Sequence, residues 1–219
     1  MNVNIQDNTT ELQNILAIVN ALPDVENGGI VPTGTIQINV NGLYDVTEYA
    51  SALVAVPDNL VACINGTIVE YESEDVTQVT NYGFYGLSTL TSVNLPNATS
   101  VKTNAFMNCT NLKNVNLPKV TLLGNYAFQG CTSIVTLDFP VLATIQGAVF
   151  TNNTSLVVLI LRNENKVCSL GNKNVFNGTP IASGTGYVYV PDNLVESYKS
   201  AANWSTYAAQ IKPISELNQ

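Results

Sequence analysis

Histidine is absent from the 219 residues, and that one fact removes most familiar site chemistry. No Ser-His-Asp or Cys-His pair can form, and neither can an HExxH zinc site or a C2H2 finger. Four cysteines remain. Cys109 and Cys131 hold equivalent places, 22 residues apart. Their Cβ vectors would run parallel, which is poor disulfide geometry, so they read as buried thiols acting as small apolar groups. Cys63 and Cys168 lie too far apart along the chain's architecture to pair. No CxxC is present, so no metal and no cofactor is expected. Glu70, Glu72, Glu74 and Asp75 form an acidic cluster. Three Glu on one strand face could hold Ca²⁺, but a solvated strand edge guarded by charge is the simpler reading. The remaining acids are scattered, and no pair converges as glycoside cleavage would need. The expectation is therefore a protein that is not an enzyme.

Charge narrows the partners further. The net charge is −8, and no Lys or Arg precedes Lys102. Phosphate backbones are bound by Lys and Arg, so nucleic acid is not expected. Charged residues make only 11% of the chain, well under the usual quarter, so Asn, Thr and Ser must keep its surface wet. No apolar run approaches the ~18 residues of a membrane span, and no membrane insertion is expected. Residues 1–7 lack a basic leader region, so no secretory signal is expected either. The acidic first third and the mildly basic remainder divide the chain into two modules.

The elements that must position these residues come from a repeat. Phe84, Phe106, Phe128 and Phe150 are each 22 residues apart. In register with them run five further apolar columns: Val76, Ala98, Val120 and Leu142; Val79, Val101, Leu123 and Ile145; Leu90, Leu112, Ile134 and Leu156; Val93, Val115, Leu137 and Leu159; Leu95, Leu117, Phe139 and Leu161. A 22-residue unit cannot bury its apolar side alone, so the copies must stack. Segments such as Val93-Asn94-Leu95 alternate as strands do, and stacking at about 4.8 Å makes them a parallel ladder. Pro96, Pro118 and Pro140 end the strands, having no N–H to give. A fifth, irregular copy holds Phe176 and the strand Val188-Tyr189-Val190, after an insertion near residues 163–174.

At these residues the chain resembles the BspA-like leucine-rich-repeat family. The match is carried by Ala105-Phe106-Met107-Asn108-Cys109-Thr110-Asn111-Leu112 with Val115-Asn116-Leu117-Pro118, and by Ala127-Phe128-Gln129-Gly130-Cys131 with Leu137-Asp138-Phe139-Pro140. Flanking copies depart from it, with Leu87 and Asn153 at the Cys position. The resemblance implies a leucine-rich-repeat solenoid. The fold class expected is mainly β, with short parallel strands, one per repeat, an N-terminal helix and a helical C-terminal cap. It leaves the ligand open, because such repeats host many binding roles.

The expected domains are residues 1–57 and 58–219. The second divides into an opening cap (58–75), repeats (76–191) and a closing cap (192–217). Ile64, Ile68 and Tyr71 would cover the first coil. In the closing cap Asp192 can N-cap a helix with Leu194, Val195, Tyr198, Ala201 and Ala202 on one face. Trp204, Tyr207, Ile211 and Ile214 continue the cover.

In the first module, residues 8–22 read as an amphipathic helix stopped by Pro23. Leu12, Ile15, Val19 and Leu22 follow a/d spacing. A helix this short needs a partner surface. That surface is either its own domain or a second copy, which would make the helix an oligomer seam. Residues 35–40 and 43–56 read as strands around Asn41-Gly42. Residues 34–57 are similar to a small β module of tailed-phage virion proteins. That similarity implies a virion structural protein, located in the particle and in contact with other virion proteins.

The face left over for binding is the concave one. Its outward strand residues are Ser92 and Asn94, Asn114 and Asn116, Thr136 and Asp138, Val158 and Ile160, then Tyr187 and Tyr189. Amides can hydrogen-bond sugar hydroxyls and tyrosine rings can stack on them; a plain solvated sheet is the alternative. Tyr82, Tyr85 and Tyr126 form a second patch near the Phe column, and partial burial is the expected reading there. The function expected is host recognition by a virion protein through contact with a host-surface protein or glycan. The alternative is a bacterial cell-surface adhesin of the same repeat type.

Overall fold

The computed structural model describes residues 2–4, 43–45 and 68–217. Leu12, Ile15, Val19 and Leu22, Cys63 and Ile64 lie outside the described residues. So does the body of the 34–57 module, apart from its strand β2 (Leu43–Asp45). That strand pairs antiparallel with β1 (Asn2–Asn4), a segment whose sequence carried no strand pattern.

From residue 68 onward, the 22-residue spacing becomes two sets of parallel strands. Each repeat gives a front strand and a shorter rear strand. In chain order these are β3 (Glu70–Glu72) and β4 (Gln78–Val79), β5 (Ser92–Asn94) and β6 (Ser100–Val101), β7 (Asn114–Asn116) and β8 (Leu122–Leu123), β9 (Thr136–Phe139) and β10 (Thr144–Ile145), then β11 (Val158–Leu161) and β12 (Ser169–Leu170). The front set closes with β13 (Tyr187–Val190) and β14 (Ile211–Pro213). The rear ladder runs unbroken as β4-β6-β8-β10-β12, with Val79, Val101, Leu123, Ile145 and Leu170 side by side. The front strands fall into two sheets, β3-β5-β7 and β9-β11-β13-β14.

The apolar columns face the space between front and rear. Every member is buried except Val115, which is half-exposed. The phenylalanines stack face to face. Centroids are 4.9 Å apart for Phe84–Phe106, 5.0 Å for Phe106–Phe128, 6.2 Å for Phe128–Phe150 and 5.6 Å for Phe150–Phe176. Phe176 continues the column across the insertion. Tyr71 meets Phe84 edge-on at one end, and Tyr207 meets Phe176 edge-on at the other. Two backbone devices hold the arm that carries the rings. Each Phe N–H donates to the carbonyl just before the next ring, as in Phe84 N to Ala105 O at 2.7 Å and Phe106 N to Ala127 O at 2.8 Å. Cys109 and Cys131 donate their thiols to Phe84 O and Phe106 O at 2.9 and 3.0 Å. Cys109 and Cys131 are buried, as expected for packing thiols, and Cys168 is buried too.

The closing cap is less helical than its sequence pattern predicts. One α-helix (Val195–Ser200) is followed by 3-10 turns and then by β14, which lies parallel to β13. Asp192 caps no helix from in front; its carboxylate accepts from Ser215 N, across the cap. Cap side chains satisfy the carbonyls along and beyond β12. Trp204 Nε1 donates to Cys168 O, Asn203 Nδ2 to Leu170 O and Tyr207 Oη to Lys173 O. Tyr198 Oη accepts from Cys168 N. A sheet edge must be paired or covered, and here side-chain donors take the place of another strand.

Candidate front-face groove

Register places the predicted front residues in rows. Glu70, Ser92 and Asn114 align on β3, β5 and β7, and so do Glu72, Asn94 and Asn116. In the second sheet Thr136, Val158 and Tyr187 align, and Asp138, Ile160 and Tyr189. Lys212 of β14 follows Tyr189.

The first sheet is bound side chain to side chain. Asn94 Nδ2 donates to Glu72 Oε1 at 2.6 Å, and Asn116 Nδ2 donates to Asn94 Oδ1 at 2.7 Å. The next rung would need a donor facing the Asn116 carbonyl oxygen. Asp138 has only acceptors, so the amide column stops there. Asp138 turns the other way instead and accepts from Arg162 Nε and Nη2 at 2.7–2.9 Å. Those hydrogen bonds hold the guanidinium charge still more firmly than usual.

Where the amide column stops, the backbone ladder opens. No strand pairing joins β7 to β9 among the described residues. A groove of about 610 Å³ lies there, lined chiefly by Asn94, Asn114, Asn116, Val135, Thr136 and Asp138. Val115 is part of its wall, and Val135 is 51% exposed. Ser92, Lys113 and Ser133 complete the polar wall. The ring column and the rear ladder stay closed at the same junction, so only the front has parted.

The structure thus gathers Ser92, Asn94, Asn114, Asn116, Thr136 and Asp138 into one groove. Val158, Tyr187 and Tyr189 lie further along the second sheet and do not line the groove. Ile160 is 5% exposed, lying in register between Asp138 and Tyr189, and has no surface to offer a ligand. Lys212 lies 5.9 Å from the Tyr187 ring and pairs with Glu216. Glu70 and Glu72 belong to the face as its first row; their spacing of 22 from Ser92 and Asn94 carried that signal. Lys113, Ser133 and Val135 carried none, because they flank strands that the pattern treated as uniform. Glu72 and Glu74 accept from Asn94 and Asn97, and no cluster of metal-ligating side chains occurs among the described residues. Burial pushes the Cys131 thiol well up, with Cys109 adding to it, and pushes Cys168 up to about 12. Neither is a thiolate nucleophile at neutral pH.

The six-fold stacking has a counterpart in known proteins. Residues 67–201 match the family model described as BspA type leucine rich repeat region, in six copies. The chain belongs to this family. The matched range begins at residue 67 and so takes in β3 and Tyr71, which sit in ladder register with β5. Three solved structures are similar. The leucine-rich repeat protein TpLRR of T. pallidum is 24% identical over 57% of this chain and 52% of its own, with a TM-score of 0.43. A leucine-rich repeat protein from Bacteroides ovatus is 24% identical over 66% and 35%, with a TM-score of 0.46. The pneumococcal vaccine antigen PcpA is 13% identical over 67% and 40%, with a TM-score of 0.40. The chain spans about half or less of each of these structures. No curated protein matches it.

Proposed function

We propose that this BspA-type repeat protein is a non-enzymatic binding module whose front groove holds a surface protein or glycan. The observation that carries this reading is the opened front ladder. It exposes Asn114, Asn116, Thr136 and a patch of Val135 together, in a groove of the size that engages ligands. Amide and hydroxyl groups recognise neutral hydrogen-bonding partners, and the valine patch supplies apolar contact. The one carboxylate lining the groove, Asp138, is held on both oxygens by Arg162, an arrangement suited to structure rather than proton transfer. Glycan and surface-protein arrays probed with the full chain test the reading. Loss of a captured ligand in Asn116→Ala, with normal folding, supports it; equal capture of every ligand by that variant overturns it.

For the setting, we infer a virion protein that uses Leu12, Ile15, Val19 and Leu22 to oligomerise. That inference rests on residues 1–57 alone. Detection of the chain in purified phage particles supports it. Recovery from a bacterial cell surface instead favours the adhesin role. Light scattering on the full chain and on a version starting at Pro57 tests the seam, and two monomers would sink it.

A further inference from the structure

We propose that the turn edge bearing Tyr82, Tyr85 and Tyr126 is a second binding site, for neutral carbohydrate, separate from the front groove. The first ground is backbone conformation. Four successive repeats each have two left-handed turn positions, and the Phe176 repeat has one. One is filled only by glycine and asparagine: Gly86, Asn108, Gly130, Asn152 and Gly178. These residue types accept positive φ most readily. The other holds Tyr82 at φ +61°, Asn104 at +58°, Tyr126 at +60° and Ala148 at +55°. A bulky side chain is disfavoured there, and such strain persists where the side chain has other work.

That work is not burial. Tyr82 is 39% and Tyr126 45% exposed. Tyr85, half-buried, meets the Tyr82 ring edge-on at 5.7 Å and braces it. The backbone links Tyr82 N to Thr103 O, Asn104 N to Asn125 O and Tyr126 N to Gly147 O, so the three residues occupy successive rungs. Adjacent rungs in this arm carry rings 4.9 and 5.0 Å apart. Two rungs then separate the tyrosines by about 10 Å, with the Asn104 amide between them. Alternate sugar rings of an extended polysaccharide recur on that scale. Tyrosine offers an apolar ring face for sugar C–H groups and a hydroxyl for their O–H groups. Residues 81–86, 104–108 and 125–130 contain no charged side chain, so the edge suits a neutral glycan over an anionic one.

The test is calorimetric titration of the full chain with soluble β-glucan, mannan and galactan oligosaccharides, and with oligogalacturonate as the charged control. Binding of at least one neutral probe is expected, weakened tenfold or more by Tyr82→Ala and by Tyr126→Ala. Val141→Ser, an exposed change outside both sites, should leave that binding unchanged; loss of neutral-probe binding in Asn116→Ala would place the sugar in the front groove and overturn the second site. The double variant Y82N/Y126N controls for folding: its Tm should hold or rise, because asparagine suits the backbone, while binding is lost. Full binding by that variant, or binding of the charged control alone, overturns the proposal. So does failure of all three neutral probes.

Discussion

Two neighbouring junctions in the stack are built from the same repeat and fail in opposite places. Between the Phe106 and Phe128 repeats the rings lie 5.0 Å apart and nearly parallel, and Cys131 donates to Phe106 O. There the front opens. Between the Phe128 and Phe150 repeats the front is closed, with all four residues of β9 paired to β11. There the ring column is loosest, at 6.2 Å and 20°. At this second junction Val149 replaces the small alanine of Ala105 and Ala127, and the bond from Phe128 N to Val149 O lengthens to 3.1 Å. Asn153 replaces the cysteine. Its Oδ1 accepts from Cys131 N, but its buried Nδ2 finds no partner among the described residues. The difference teaches that the faces of a stacked coil are specified separately. Small groups and thiols set the spacing of the ring arm, while donors and acceptors on the strands set the front.

The strongest way to break the comparison is Phe128→Ala, which removes the ring shared by both junctions. Loss of about 3–5 kcal/mol is expected from the cavity, read as a fall in the denaturant midpoint. Next comes Gly130→Ala, at the first junction. Gly130 has φ +72°, and an added Cβ would lie 2.5 Å from Asn108 Oδ1. A cost of about 1–3 kcal/mol is expected from backbone strain and the contact together. Combining it with Asn108→Gly should return only the contact part, as a partial recovery of Tm.

Asn153→Cys sharpens the second junction by giving it the thiol of the first. Removing a buried unpaired donor should stabilise by about 1 kcal/mol or more, visible as a raised Tm. A lowered Tm would show that the bond from Cys131 N matters more than the unpaired amide. Asp138→Asn sharpens the first junction. An amide at this place can donate to Asn116 and extend the column, at the expense of an exposed ion pair worth about 1 kcal/mol or less. Slower amide exchange at Val135 and Thr136 is expected; unchanged exchange would separate the opening of the front from the end of the amide column.

The smallest effect is at the closing cap, where Asp192 is stabilised as a carboxylate by hydrogen bonds from Ser215. Its folded pKa lies below the ordinary carboxylate range. Its contribution is therefore complete above the unfolded pKa and lost as pH falls through the folded one. Asp192→Asn should lower stability slightly at neutral pH and leave it unaltered below the folded pKa, so the acid limb of the stability profile flattens.

The sequence by itself determined the register. Six apolar columns at one spacing admit a single alignment of neighbouring coils, and Phe84 through Phe150 took it, as did Cys109 and Cys131. Even Glu72–Asn94–Asn116 is legible once the spacing is applied. Periodicity is a property of one strand of text, and burial of an apolar face enforces it locally. Tertiary structure decided everything that depends on what meets across a gap. That Asn108 lies over Gly130, and that Trp204 and Asn203 reach the carbonyls of Cys168 and Leu170, are facts about pairs. The helical pattern of the closing cap misled for the same reason. Its apolar residues found their place against Phe176 and beside β13, and that placement, rather than local propensity, turned Ile211–Pro213 into a strand.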